Sequence, residues 1–369
     1  MLKMHSFIIC TSPLGNSVSN YFFSLAHQLK KDGHTVLIVV DRAQKNNTEF
    51  NGIPVLSWPS KRPTKWADVV FFYKLCTAHK PTAVLGQFGS TNISLLASWW
   101  LSIPNRINYW HTMFKQLQVD VRVSTFKAKM EHFLKRNILH ICATHVFTNS
   151  IETKKDLAQH YAIAEQKLGV FHLLIPDATT NHTIQPLTAR KQQISFVGRI
   201  DKSKGQSFVI EAIPSIIKKF PQLLFVFVGD GIEKNKLEAL CIQLNITNNV
   251  QFVGRKNAQE VFDIMGSSLI NINASIEEAF GLVNVEALSL ATPIIAPKTG
   301  GIKEIIEDGV NGYFFNPANA QDLLEKIELI VNNWSQFSQQ ARLSYVQKFS
   351  VNNQELLQKQ TQQLVSLLR

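Results

Sequence analysis

Apolar residues in this chain follow two rhythms. SFIIC (6–10), with its apolar run Phe7 to Cys10, reads as a strand, and VLIVV (36–40) is a continuous apolar run, which suits a strand buried on both faces of a parallel sheet. Between them Phe22, Leu25, Ala26 and Leu29 recur at three- and four-residue spacing, and this predicts a helix from about 18 to 31. Gly33 in KDGHT ends it. Strand, loop, helix, glycine and strand make a βαβ unit. Further strands are predicted at 83–88, 106–110 and 145–149, with helical stretches between them.

The alternation restarts at QISFVGR (193–199). Residues 204–219 and 233–244 carry a helical period, while 222–229, 249–254, 269–273 and 293–297 read as strands. PDATTNHTIQPLTARKQ (176–192) has no apolar period and is read as a linker. The expectation is an α/β protein of two doubly wound, Rossmann-like domains, 1–175 and 193–351, facing each other across a cleft. Ligands of such folds bind at the carboxyl ends of the strands.

A length of 369 residues agrees with two domains. Cys10, Cys76, Cys142 and Cys241 are far apart with no CxxC pair, so buried free thiols are expected rather than zinc or disulfides. The N-terminus lacks the apolar run of a signal peptide, and no stretch reaches the roughly 18 apolar residues of a membrane span. A cytoplasmic protein, peripheral on the inner face of a membrane, is the expectation. Charge sharpens the picture. Residues 1–189 hold 20 Lys/Arg and 10 Asp/Glu, whereas 190–369 hold 18 and 17. The net charge of +11 therefore lies almost wholly in the first half, which implies an anionic partner there.

The chemistry concentrates in the second half. SFVGRIDKSKG (195–205) runs from a strand into a loop bearing Arg199 and Lys204, ahead of a helix. A guanidinium fork and a lysine charge beside a helix N-terminus suit a diphosphate, although two solvated loop cations would look the same. In ASIEEAFGLVNVEALSLATP (274–293), Phe280-Gly281-Leu282 opens a helix, and the Leu282 and Val283 N–H groups point outward for a phosphate. Glu286 lies too far into that helix to be a cap and could hold a ribose, and Glu278 precedes it; two surface carboxylates are the plainer alternative. Glu277 reads as a surface neighbour.

Five segments in this order resemble the retaining glycosyltransferases of family 4, which have the GT-B fold. They are FVGR…KG at 196–205, VGDG at 228–231, VQFVGR at 250–255, the E-x7-E segment at 278–286 and TGGIKEIIEDGVNGYFF at 299–315. The resemblance implies a nucleotide-sugar donor site in the second domain, on a UDP-sugar by family frequency. Arg199 and Lys204 would neutralise the diphosphate, Glu286 would hold the ribose, and Glu278 would face the donor sugar. The backbone from Gly198 and around Gly254 and Arg255 would line the site and read the base. Gly300 and Gly301 would turn closely over the phosphates into a helix carrying Glu304, itself either structural or a ligand contact. His111, after the strand INYW, would touch the sugar, and the Gly15-Asn16 loop would cover the phosphates. That loop departs from the family pattern, which has two adjacent glycines; here they fall on Asn16 and Ser17. A C-terminal helix at about 352–369 would pack back on the first domain.

No metal-ligand spacing is visible, so no cofactor and no metal are expected, and cationic side chains would carry the leaving diphosphate. The resemblance implies front-face transfer of a hexose with retention. For the acceptor, TFKAKMEHFLKRNILH (125–140) sets Phe126, Met130, Phe133, Leu134 and Ile138 on one stripe flanked by Lys127, Lys129, Lys135 and Arg136. That pattern fits an interfacial helix on anionic lipid or an ordinary surface helix with its stripe in the core. Trp58, Trp66, Trp99 and Trp100 are interfacial anchors or core residues. A lipid-linked saccharide acceptor is expected, as in surface polysaccharide assembly. A soluble acceptor, an epimerase and a non-catalytic sugar-nucleotide-binding protein are the alternatives. Nucleic acid is not an expected partner, since no RNP strand or helix-turn-helix signature occurs.

Overall fold

The computed structural model describes residues 4–41, 48–119, 126–180 and 182–368. The side chains of 117–119 and 126–129 are outside that description, which covers Lys127, Lys129 and Phe126 of the predicted interfacial stripe. The chain forms two compact units: Met1–Phe114, Val123–Pro176 and Val351–Arg369 in one, Lys115–Arg122 and Asp177–Ser350 in the other.

The first unit runs β1 (Ser6–Thr11), α1 (Ser17–Lys31), β2 (Thr35–Val40), β3 (Thr48–Phe50), β4 (Ile53–Ser57), α2 (Trp66–His79), β5 (Ala83–Gln87), α3 (Thr91–Trp100) and β6 (Asn105–Trp110). It continues through α5 (Phe126–Cys142), β7 (His145–Thr148), α6 (Ile151–Tyr161) and β8 (Leu168–Val170), while α4 (Phe114–Val119), between β6 and α5, belongs to the second unit from Lys115 on. Its sheet has the order β3-β4-β2-β1-β5-β6-β7-β8, with only β3 antiparallel. The runs 6–11 and 35–40 are buried along nearly their whole length, as strands covered on both faces must be. From β1 the chain winds first towards β2 and β4, then returns to lay β5 on the other side of β1, so the winding reverses between β1 and β5.

The second unit comprises β9 (Gln193–Val197), α7 (Gln206–Lys219), β10 (Leu224–Val228), α8 (Lys234–Gln243), β11 (Val250–Gly254), α9 (Ala258–Ser267), β12 (Ile270–Ile272) and α10 (Leu282–Ser289). After these come β13 (Ile294–Ala296), β14 (Gly312–Phe314), α11 (Ala320–Asn332) and α12 (Trp334–Lys348). Its parallel sheet reads β11-β10-β9-β12-β13-β14, so the winding reverses between β9 and β12. The core is aliphatic and phenylalanine-rich, with Ile194, Phe225, Phe227 and Ile270 at its centre. The last helix, α13 (Gln354–Ser366), belongs to the first unit: Gln360 accepts from the Tyr21 hydroxyl of α1 at 2.9 Å, and the Thr361 hydroxyl donates to Asp32.

All four cysteines are buried free thiols, and burial pushes Cys76 up to about 12 and Cys241 to about 11. Among the described residues no helix is long and apolar enough to cross a membrane. Trp58 is core, stacked on Phe72, whereas Trp66, Trp99 and Trp100 are exposed. On α5, Met130, Phe133 and Leu134 are exposed together with Lys135 and Arg136, while Ile138 is half-buried and Leu139 buried. The predicted stripe is therefore divided: Met130, Phe133 and Leu134 face away from the core, whereas Ile138 packs with Leu139 and Cys142 against it, nearer the C-terminus.

The segment 176–192, read from sequence as a linker, is pinned to the second unit through Asp177 and Arg190. Arg342 of α12 makes a bidentate pair with Asp177 at 2.5 and 2.8 Å and donates to the Ser289 carbonyl of α10 at 2.7 Å. Arg190, 5% exposed, donates to the carbonyls of Ser268 (2.7 Å), Leu290 (2.9 Å), Ala291 (3.3 Å) and Gln185 (3.2 Å) and to the Thr292 hydroxyl (2.7 Å). Two guanidiniums thus hold the carbonyl end of α10, where the helix dipole is negative.

Candidate active site

Ligands of open parallel sheets bind where the winding reverses, at the carboxyl ends of the two flanking strands. In the second unit those ends lead into the loops 198–205 and 273–281, which carry Arg199, Lys204 and Glu278. After β9 the chain makes a 3-10 turn over Lys202–Lys204, and Gly205 follows in the left-handed region at φ +65°. A Cβ there would meet the Ala274 carbonyl oxygen at 2.1 Å, so glycine lets this turn lie against the loop after β12. The Ile276 N–H donates to the Ser203 carbonyl at 2.8 Å and locks the two loops together. The predicted helix from 204 therefore starts two residues later, and Lys204 is left on the turn.

This docking brings Lys204 and Glu278, 74 residues apart in sequence, to 2.5 Å between Nζ and Oε2. Both side chains are largely buried, at 16% and 13% exposure. The Ser275 hydroxyl also reaches Glu278 Oε2 at 3.0 Å, and Asn273 Oδ1 in turn accepts from the Ser275 N–H. Arg199 pairs with Asp201 at 2.7 Å and is half-exposed, so its guanidinium remains accessible from solvent. Beyond Glu278, Gly281 at φ +94° caps α10, and Leu282 and Val283 follow at the first turn, half-buried. Glu286 lies half-buried one turn further on.

Three expectations change on this geometry. The Phe280 ring is buried and packs edge-on against Phe349, so only its backbone is left to face a ligand. Gly300 and Gly301 do not lead into an α-helix; they open a short 3-10 turn, Gly300–Glu304. Their close approach is to protein, since a Cβ on Gly300 (φ +48°) would meet the Glu278 carbonyl oxygen at 1.9 Å and the Gly301 N–H donates to that oxygen at 2.9 Å. These glycines buttress the Glu278 loop. Asn16 is committed as the N-cap of α1, accepting from the Ser19 N–H at 2.9 Å, with Gly15 exposed before it. Gly198 continues the β9 ladder to the Val228 carbonyl. Gly254 ends β11 with its carbonyl accepting from Gly229, and Arg255 is exposed after it.

In the first unit the winding reverses between β1 and β5, and His111 stands just past the end of β6, the strand beside β5. Its Nε2 is 2.7 Å from Gln87 Oε1, and its ring lies flat on Phe88, 4.2 Å away at 7°. Burial holds the imidazole down at about 3, so it is neutral at physiological pH. Sequence reasoning named His111, Glu278 and Arg199 but not Gln87, Ser275 and Asp201, which the structure sets against them. Ser275 was legible, since Ser-x-x-Glu is a spacing at which a hydroxyl reaches a carboxylate; Gln87 carried no local signal.

Two parallel-sheet, Rossmann-like units are the architecture of the GT-B glycosyltransferases. The solved structure of Anabaena Alr3699/HepE in complex with UDP and glucose has the same fold: TM-score 0.72 over 98% of this chain and 100% of that one, at 18% identity. A family model described as Glycosyltransferase Family 4 matches residues 18–178, and one described as Glycosyl transferases group 1 matches residues 177–347. The chain belongs to glycosyltransferase family 4. An uncharacterized glycosyltransferase of Methanocaldococcus jannaschii is 32% identical over 39% of this chain and 37% of its own length. The phosphatidylinositol N-acetylglucosaminyltransferase gpi3 subunit of Schizosaccharomyces pombe is 27% identical over 44% of this chain and 36% of its own length. The matched segments thus span less than two-fifths of these two relatives.

Proposed function

We propose that this protein is a retaining hexosyltransferase that uses a nucleoside diphosphate sugar, with UDP as the carrier. The observation that carries the reading is the Lys204–Glu278 pair beside the N-terminus of α10. In that reading the Leu282 and Val283 N–H groups bind the distal phosphate, Lys204 and Arg199 neutralise charge on the departing diphosphate, and Glu286 binds the ribose hydroxyls. Glu278, already charge-paired, orients a sugar hydroxyl rather than serving as a nucleophile. The acceptor hydroxyl then attacks the anomeric carbon on the face the diphosphate leaves, and its proton passes to the leaving phosphate oxygen. Metal-independence follows from the same division of labour. The UDP and glucose bound by the Anabaena protein of like fold support the choice of donor.

For the acceptor we propose a lipid-linked saccharide at an anionic membrane face. Exposed Trp66, Trp99, Trp100, Met130, Phe133 and Leu134, with Lys135 and Arg136 beside the last two, support it. So does a relative named for transfer of N-acetylglucosamine to phosphatidylinositol. Calorimetric titration with UDP, GDP and ADP in EDTA, on wild type and Glu286→Ala, tests the donor site. Binding of UDP in preference to the other two, weakened by the substitution, is expected. Binding of none, or turnover that requires added divalent metal, overturns the donor site or the metal-free route respectively.

A further inference from the structure

We propose that Gln87 is the positioning residue for His111: it fixes the imidazole as the Nε2–H tautomer and leaves Nδ1 as an acceptor for a sugar hydroxyl. The sugar partner rests on the transferase reading above; the tautomer does not. Thr11, Gln87 and His111 stand at or just past the carboxyl ends of β1, β5 and β6, three adjacent strands that include the winding reversal of the first unit. The parallel register seats Gly86 beside Cys10 and Gln87 beside Tyr109, so the three side chains emerge along one edge.

Gln87 is 1% exposed and Thr11 3%, so neither can borrow water to satisfy its polar atoms. The Gln87 Nε2 donates to Thr11 Oγ1 at 2.5 Å, which turns Oε1 towards His111 Nε2 at 2.7 Å. A carbonyl oxygen can only accept, so the ring nitrogen facing it carries the proton. In a neutral imidazole the other nitrogen, Nδ1, is then an acceptor. Phe88 fixes the ring plane. It is a phenylalanine in the left-handed region, φ +50°, half-exposed, yet stacked face to face on the imidazole. Bulky residues rarely adopt that backbone, and such outliers concentrate where a side chain has to be aimed.

The consequence is selectivity. A neutral ring with one free acceptor pairs with an O–H donor and repels a carboxylate. The sugar group at this position is therefore a hydroxyl rather than a uronic acid carboxylate.

The test is nitrogen-15 NMR of the full chain with ring-labelled histidine, His111 being assigned from His111→Asn. Wild type is expected to show a pyridine-like Nδ1 and a pyrrole-like Nε2. Gln87→Met should mix the two tautomers and lower kcat/KM about tenfold, the scale of one lost hydrogen bond. Gln87→Glu, which keeps an acceptor in place, should restore the Nε2–H signal. A wild-type ring protonated at Nδ1, or a tautomer unchanged in Gln87→Met, overturns the proposal. If the ring signals follow the pattern while no variant, wild type included, transfers sugar, the transferase reading fails and the positioning role stands.

Discussion

Arg190 offers the sharpest check on how the second unit holds α10. It is a guanidinium 5% exposed with no carboxylate partner among the described residues, and the five hydrogen bonds it makes there go to backbone carbonyls and the Thr292 hydroxyl. Trp334 lies 4.6 Å from its charge centre. Hydrogen bonds from a charged donor contribute about 1.5–3 kcal/mol each, and the three within 3.0 Å give roughly 6 kcal/mol. Against that, burial lowers the guanidinium to about 10, well below its ordinary value, a desolvation cost of about 3 kcal/mol. Arg190→Met is therefore expected to destabilise the second unit by about 3 kcal/mol. At roughly 2–4 °C per kcal/mol for a unit of this size, its calorimetric transition should fall by about 6–12 °C. The same variant should weaken UDP binding, because the carbonyl end of α10 is released while its other end forms the candidate phosphate site. Differential scanning calorimetry with and without UDP reads both. A loss below about 1 kcal/mol would mean that Met packs as well as the guanidinium and that the carbonyls find water, and the clamp would be refuted.

Three further outcomes are expected. Gly300→Ala forces a Cβ to within 1.9 Å of the Glu278 carbonyl in a left-handed backbone, so it should cost about 1–3 kcal/mol and abolish UDP binding measured by calorimetry. His111 has a folded value near 3 against an ordinary 6.5, so below pH 6.5 the unfolded chain takes up a proton that the folded chain refuses. Stability should fall as pH drops from 6.5 towards 3, and His111→Gln should flatten that slope in urea titrations across the range. Replacing Trp99, Trp100 and Phe133 by Ser should reduce flotation with anionic vesicles without shifting the melting temperature, since all three are exposed; unchanged flotation removes these residues from the proposed membrane face.

Local pattern determined much of this protein. The apolar runs at 7–10 and 36–40 read as strands with both faces covered, QISFV at 193–197 as the strand that restarts the alternation, and the three- and four-residue period after the first strand as a covering helix. Glycines at 281 and 300 were legible as places where the backbone bends or comes close, because only glycine tolerates those angles without strain. What they come close to was not legible. A Cβ on Gly300 would meet Glu278 and one on Gly205 would meet Ala274, and those neighbours follow from the order of strands in the sheet, which no local window contains. The same holds for side-chain partners. Lys204 meets Glu278 because β9 and β12 are neighbours, although 74 residues separate the two side chains. Phe280 turns to the core because Phe349 is there to receive it. Gln87 takes its role from the Thr11 and His111 that its sheet sets on either side. Residue type and period settle which segments are strands and helices; sheet order settles which side chains meet, because the long-range pairing that joins distant loops is chosen by the packing of the whole unit.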